Sequence, residues 1–275
     1  MDTFKTQTRS LVAKRLLWTA LRFILLKEFS TVRIEMLNKT LLCAGVCLAF
    51  AAAGTTESQA AMLKSAPSAQ SAVPAQRPAG TTVLYTQTGA SLGGGTNQNF
   101  ATAQDAYDGE VADDFVVPAG GWGVNSVNFP ITASAGGNVT LATWNITFYS
   151  NGAGIPGAAD AGCTYLAQPG TGAAAAGGTV TVTLPTQCNL TAGTHWFSAQ
   201  SNLDFAAGGQ TFWSNYPAPA VGADAVFRNP GDGFATGCTT FTSVVTCAVG
   251  GSAPNYIFQL LGRTLPVTLQ SYKVD

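Results

Sequence analysis

Five carboxylates fall within ten residues: Asp105, Asp108, Glu110, Asp113 and Asp114. They are half of the acidic side chains downstream of Ala60. Oxygen donors at that density suit Ca²⁺, a hard cation that collects carboxylate and carbonyl oxygens. The spacing matches no EF-hand loop. The plainer reading is that short acids cap turns and solvate a surface poor in Lys. Asp113 and Asp114 are adjacent, so on a strand they point to opposite faces and cannot form a facing acid–base pair. His195 is the single histidine. A serine-type triad would have to use it, but there is no GxSxG, and Thr194-His195-Trp196 reads as strand interior. A satisfied or partly exposed strand histidine is the expectation. One His also excludes a three-histidine zinc site.

Aromatic residues offer a second chemistry, the stacking of sugar rings. Trp122, Trp144, Trp196 and Trp213, with Tyr149 and Tyr216, are the candidates. Trp144 alternates with Ile146 and Phe148, which assigns it to a core. Trp122 sits in a Gly-rich turn and Trp213 in a polar stretch, so these two are the candidates for exposure, against burial as the usual fate of such rings. Asp204, Arg228 and Asp232, with Asn202 and Asn229, would add polar ligand contacts if their loops converge.

The elements that would position these groups are short strands. Leu141–Ser150 alternates, with Trp144, Ile146 and Phe148 on one face and Thr143, Asn145 and Thr147 on the other. Gly178–Leu184 alternates likewise. Further strands are expected at Thr81–Thr86, Ala112–Val117, Gly123–Phe129, Thr194–Gln200, Thr211–Tyr216, Ala225–Arg228 and Asn255–Gly262. Ala112–Val117 and Gly123–Phe129 read as a central hairpin turning at Pro118–Gly121. Gly89–Gln98, Asn151–Gly157 and Asn229–Gly237 read as loops and turns. Only 10% of residues are charged, 46% are hydrophobic and 31 are Gly. That composition builds a core rather than a disordered chain. No stretch after residue 80 keeps helical periodicity for three turns. The expected fold is all-β: one antiparallel sandwich of jelly-roll type over residues 81–265.

Residues 36–60 read as a secretory signal: Met36-Leu37-Asn38-Lys39, an apolar run over Thr40–Ala53, and small residues at Ser58 and Ala60 before the cleavage point. The run is short for a membrane span, and Cys47 follows Val46 rather than a small residue, so lipidation is not read. Residues 1–35 are basic, and read either as a mis-assigned start or as a membrane-surface extension. Residues 61–80 read as a flexible linker and 266–275 as a tail. Downstream of Ala60 there are five Lys/Arg against ten Asp/Glu. That acidic balance argues against nucleic acid as a partner and leaves an extracellular glycan or a surface protein. Cys163, Cys188, Cys238 and Cys247 remain after the leader, an even number in an exported chain. Three pairings are possible; the local one, Cys163–Cys188 with Cys238–Cys247, is expected. A metal site is disfavoured, because no CxxC spacing exists.

The ordered blocks ADDFVVPAGGWGVNSVNF, NITFYSNGAGIPGA, LTAGTHWFSAQSNLDF, AVFRNPGDGFATGC and NYIFQLLG resemble a family of exported bacterial β-sandwich domains. The resemblance covers about residues 82–262. It implies a jelly-roll-like fold and a non-catalytic role outside the cell. It supplies no catalytic residues to carry over, and His195 stands where such domains more often hold an aromatic residue.

Overall fold

The computed structural model describes residues 64–66, 81–217 and 221–265, all within one unit spanning Met62–Asp275. The expected signal segment, residues 1–35, most of the linker and the tail lie outside the described residues. Fifteen strands follow in chain order: β1 (Ser65–Ala66), β2 (Thr82–Gln87), β3 (Gly93–Thr96), β4 (Gln98–Asn99), β5 (Glu110–Val117), β6 (Trp122–Ala133), β7 (Thr143–Asn151), β8 (Pro156–Pro169), β9 (Gly177–Leu190), β10 (Gly193–Asn202), β11 (Thr211–Tyr216), β12 (Val226–Arg228), β13 (Thr242–Ser243), β14 (Asn255–Tyr256) and β15 (Phe258–Thr264). Two four-residue helices, α1 (Phe205–Gly208) and α2 (Val244–Cys247), sit in loops.

The strands form two packed sheets. One runs β1-β3-β11-β6-β15-β2, with β9 on the far side of β6 and β14 on β11. The other runs β13-β12-β5-β10-β7-β8, with β4 alongside β10. Among the described residues every strand pair is antiparallel except β4 with β10. Period-two alternation explains why the layers close. Phe197 on β10 and Ile146 and Phe148 on β7 face inward, towards Phe129 on β6, Trp213 on β11 and Phe258 on β15. Phe197 is the hub, with ring centroids 5.1 Å from Phe258, 5.4 Å from Phe148 and 5.5 Å from Trp213. A sandwich of this all-β kind is what the alternation predicts.

Both expected disulfides form, and they do different jobs. Cys163 lies on β8 and Cys188 on β9, so that bridge ties an edge of one sheet to an edge of the other. Cys238–Cys247 closes the loop between β12 and α2.

Three elements differ from expectation. Residues 112–117 and 123–129 do not make a hairpin. β5 pairs with β10 and β12, whereas β6 pairs with β9, β11 and β15. The connection crosses from one sheet to the other, so that both strands aim apolar residues into the same interior; Phe115 and Trp122 stack across it with centroids 6.2 Å apart and ring planes nearly parallel. Gly121 makes the crossing possible: its φ is +79°, and a Cβ there would meet the Leu190 carbonyl oxygen at 2.6 Å. Gly89–Gln98 is not wholly loop. Gly93–Thr96 forms β3, whose bare backbone packs close to β11; a Cβ at Gly94 would lie 2.6 Å from the Trp213 carbonyl oxygen. Within the expected linker, Ser65–Ala66 pairs with β3. β8 carries no alternation, because Ala and Gly fill it, and left-handed residues at Gly162 and Ala167 punctuate it.

One carboxyl group sits inside the sandwich. Asp113 faces inward from β5 and is fully buried. Its Oδ2 accepts from Gln87 Nε2 on β2 and from the Tyr256 backbone N–H on β14, and its Oδ1 accepts from the Asp114 N–H. The carboxyl therefore clasps the two sheets. Burial pushes its pKa well above the usual carboxylate value, and the bond from Tyr256 only partly opposes this. A raised folded pKa means that the fold favours the protonated form. The stability this contributes is complete below about pH 4, the unfolded value, and is lost as pH rises towards the folded value. Urea denaturation at pH 4.5 and pH 7 should show this loss in the native chain and a smaller one in Asp113→Asn; equal slopes would remove Asp113 as the source. Replacing Cys163 and Cys188 together by Ser should cost about 3.5 kcal/mol from loop entropy over 25 residues of separation, against about 2.7 for the Cys238–Cys247 pair. Denaturation midpoints with unchanged m-values would check the order of the two.

Candidate functional site

The outer face of the β5-β10-β7 sheet is built by the other half of the alternation. Its residues divide into a covered end and an accessible end. At the covered end, Ala112, Tyr149, Trp196 and Val226 form a small second apolar cluster beneath Ala223 and Phe241. Tyr149 reaches across β10 and its hydroxyl donates to Glu110 Oε1 at 2.6 Å. Arg228 donates to Glu110 Oε2 from Nε at 2.9 Å and Nη2 at 2.5 Å. The guanidinium also stacks on Phe241, 4.3 Å from the ring centroid. Burial pushes the Tyr149 hydroxyl pKa up, and the Glu110 charge adds to that. The carboxylate, the cation and the phenol thus answer one another. Arg228 remains 37% exposed at the side chain.

The accessible end is a row of amides. Asn99 on β4, Gln200 and Asn202 on β10, and Asn145 on β7 are all half-buried. Asn202 Nδ2 donates to Asn145 Oδ1 at 2.8 Å, and Asn145 Nδ2 returns a bond to Asn202 Oδ1 at 3.0 Å. Asn99 Nδ2 donates to Asn202 Oδ1 at 2.8 Å, and Asn145 Nδ2 also reaches Gln200 Oε1 at 3.3 Å. Backbone groups pin Asn145 and Gln200. The Ala167 N–H donates to Asn145 Oδ1, and Gln200 Nε2 donates to the Gly109 carbonyl. An N–H only donates and a carbonyl only accepts, so the orientations of Asn145 and Gln200 are determined, and through their bonds those of Asn202 and Asn99. The left-handed backbone at Ala167 marks the irregular stretch that supplies the pinning N–H.

The acidic cluster read from the sequence is dispersed. Asp105 is exposed on a 3-10 turn (Thr102–Tyr107), and Asp108 just after it accepts from the Phe100 N–H at 2.7 Å. Burial pushes the Asp108 carboxyl up. Asp113 is interior. Glu110 and Asp114 share the outer face, but four strand residues put their backbones about 13 Å apart. Asp114 accepts from the Ala223 N–H at 3.2 and 3.3 Å, and burial raises its pKa too. The five candidate calcium ligands are therefore not gathered, and no group of three or more His, Cys, Asp or Glu placed to hold a metal occurs among the described residues.

His195 is satisfied, as its strand position implied. Nδ1 lies 2.7 Å from Asp160 Oδ2 and Nε2 lies 2.9 Å from the Thr191 carbonyl, with Phe115 stacked at 6.0 Å. Trp122 and Trp213, the candidates for an exposed ligand platform, are instead buried, at 5% and 0% accessible, the usual fate of such rings. Trp213 donates from Nε1 to the Ile257 carbonyl at 2.8 Å, so its polar edge is paired inside the protein. The remaining ligand candidates do not converge. Asp204 caps α1 through the Ala206 N–H, and Asp232 accepts from the Gly237 N–H within its own loop. Asn229 is fully buried and holds the Ala106 and Asp108 carbonyls. Only Arg228 and Asn202 lie on the outer face.

Asn145 and Gln200 were in plain view as the polar partners of Ile146 and Ala199; what the alternation does not show is that β7 and β10 pair directly, Gln200 opposite Asn145. Asn99 had no such signal, being embedded in a Gly-rich segment. Comparison with family models, curated proteins and solved structures found no match.

Trp213→Ala is expected to lower stability by about 3–5 kcal/mol, as for truncation of any buried Trp. A loss below about 1 kcal/mol in urea titration would mean that the ring is not a core element.

Proposed function

We propose that the chain is an exported, non-catalytic recognition module of the bacterial surface or extracellular space, and that it binds its partner on the outer face of the seven-stranded sheet. An extracellular glycan is the favoured partner and a surface protein the alternative. The observation that carries this reading is the division of labour on that face: Glu110, Arg228 and Tyr149 are tied to one another, while a row of oriented amides is left accessible. The carboxyl pair of a typical glycoside hydrolase needs two such groups within about 10 Å across a cleft. Here Asp113 serves the interior, and Glu110 and Asp114 stand apart, each with its own partner. Two buried disulfides fit an oxidising compartment. No helix among the described residues is long and apolar enough to cross a membrane. The export signal, bacterial origin and jelly-roll kinship belong to the same proposal, and rest on the Met36–Ala60 pattern and on the sequence blocks.

Chemical-shift mapping tests it. The chain from residue 61 onward, with disulfides formed, is titrated with a neutral polysaccharide, a polyuronate and a soluble fraction of envelope protein. The expected result is perturbation of β10, β7 and β4 resonances by at least one of them, with the added polymer recovered intact. Perturbation confined to the other sheet, or no perturbation by any of the three, would overturn the surface assignment. Degradation of the polymer, abolished by changing one carboxylate, would overturn the non-catalytic one.

A further inference from the structure

The amide row has a hydrogen-bond inventory that discriminates between ligand chemistries. Its middle is saturated. Both Asn145 Oδ1 lone pairs are taken, by the Ala167 N–H and Asn202 Nδ2, and both Asn145 N–H groups are directed at Asn202 and Gln200. Asn202 is equally complete, its second N–H reaching Thr143 Oγ1 at 3.4 Å and its Oδ1 accepting twice. The ends are not. Asn99 donates once and, among the described residues, its Oδ1 has no partner. Gln200 keeps one N–H and one Oε1 lone pair after bonding Gly109 and Asn145. Each end thus offers a donor and an acceptor side by side; the two ends lie on neighbouring strands, two residues out of register and about 8 Å apart.

We infer that this row is the binding site for a neutral, hydroxyl-rich chain, one sugar ring bridging Asn99 and Gln200. A hydroxyl is both donor and acceptor, so one OH at each end satisfies both free valences there. A carboxylate, sulfate or phosphate only accepts. At either end it would pair with the amide N–H but meet an unrelieved oxygen lone pair on the same side chain. The cation nearest in kind, Arg228, is already paired with Glu110 and cannot offset this alone. The net acidity of the residues after Ala60 also opposes a polyanion. Because the backbone pins fix the amides before any ligand arrives, little side-chain order remains to be imposed on binding. This inference rests on the proposed recognition role and narrows its ligand class.

Affinity electrophoresis and isothermal titration of the disulfide-bonded chain, with soluble neutral β-glucan and galactomannan as probes and polygalacturonate as the charged counterpart, decide it. Binding to a neutral probe is expected, with at least about tenfold weaker binding in Gln200→Glu and in Asn99→Asp. These changes keep side-chain shape but turn a donor into an acceptor. Unchanged melting temperatures would show that both variants fold. Thr86→Ala, on β2 of the other sheet, should bind as the native chain does. If polygalacturonate or the envelope protein fraction perturbs β10 and β7 while neutral probes do not, the ligand class is wrong and the recognition surface stands. If neutral probes bind but both isosteric variants bind equally well, the site is wrong. If nothing binds, both readings fall.

Discussion

The register of β10 is the constraint on which the rest depends. With Phe197 and Ala199 inward, Trp196, Ser198, Gln200 and Asn202 must face outward. A slip of one residue would drive Gln200 and Asn202 into the aromatic interior and expose Phe197, losing the hub of the core and the amide row together. Two neighbours hold this register: β5, pairing Trp196 with Asp114, and β7, pairing Gln200 with Asn145. A third pin is polar and crosses the sandwich. Ser201 Oγ lies 2.6 Å from Thr211 Oγ1, and Thr211 donates its hydroxyl towards Gln98 Oε1 at 3.1 Å. All three residues are fully buried.

Polar groups inside an apolar interior are costly unless paired, and paired ones specify an arrangement more than they stabilise it. Two such knots lie here, one around Ser201, Thr211 and Gln98, the other around Asp113, Gln87 and Tyr256. Each joins a strand of one sheet to strands of the other. Any alternative packing of the layers would strand these groups without partners, at about 1–3 kcal/mol for each neutral one and more for a carboxylate. The aromatic hub alone tolerates sliding; the knots do not. The Cys163–Cys188 bridge then fixes the same relation at the opposite margin, where β8 has too little apolar surface to hold β9 by packing.

Much of this was legible. Period-two alternation located the long strands, their buried faces and the class of fold, because burial is a property of a residue and its neighbours in sequence. The cysteines yielded their pairing because short loops favour local closure. What the sequence hid is partnership. Pro118–Gly121 looks like a hairpin turn, and only the three-dimensional arrangement sends β5 and β6 to different sheets. The acidic run looks like one cluster, yet its members alternate between faces, so proximity along the chain separates them in space. Trp213 stands among polar residues because Thr211 and Asn215, which share its face of β11, are themselves buried in hydrogen bonds, so a local average of polarity misreads the strand as exposed. The Gly93–Thr96 strand has no side chains by which to announce itself.

That same distinction explains why the outer face of this sheet carries amides rather than the candidate aromatic platform. The interior of a two-layer sandwich with 14-residue edge strands of Ala, Gly and Thr needs its large rings inside, since β8 and β9 contribute few of their own. The tryptophans on β6, β7, β10 and β11 are therefore drawn into the core or, for Trp196, beneath the Phe241 cover. The outer face is left with polar residues, and in a chain with so few Lys and Arg those are mostly amides and hydroxyls. Isolated, such groups would be dispersed hydration sites. Joined through Asn145 and Asn202 and anchored at Ala167 and Gly109, they become an oriented array whose ends alternate donor and acceptor. A surface built under these compositional limits is matched to partners made of hydroxyl groups, and poorly matched to partners made of charge.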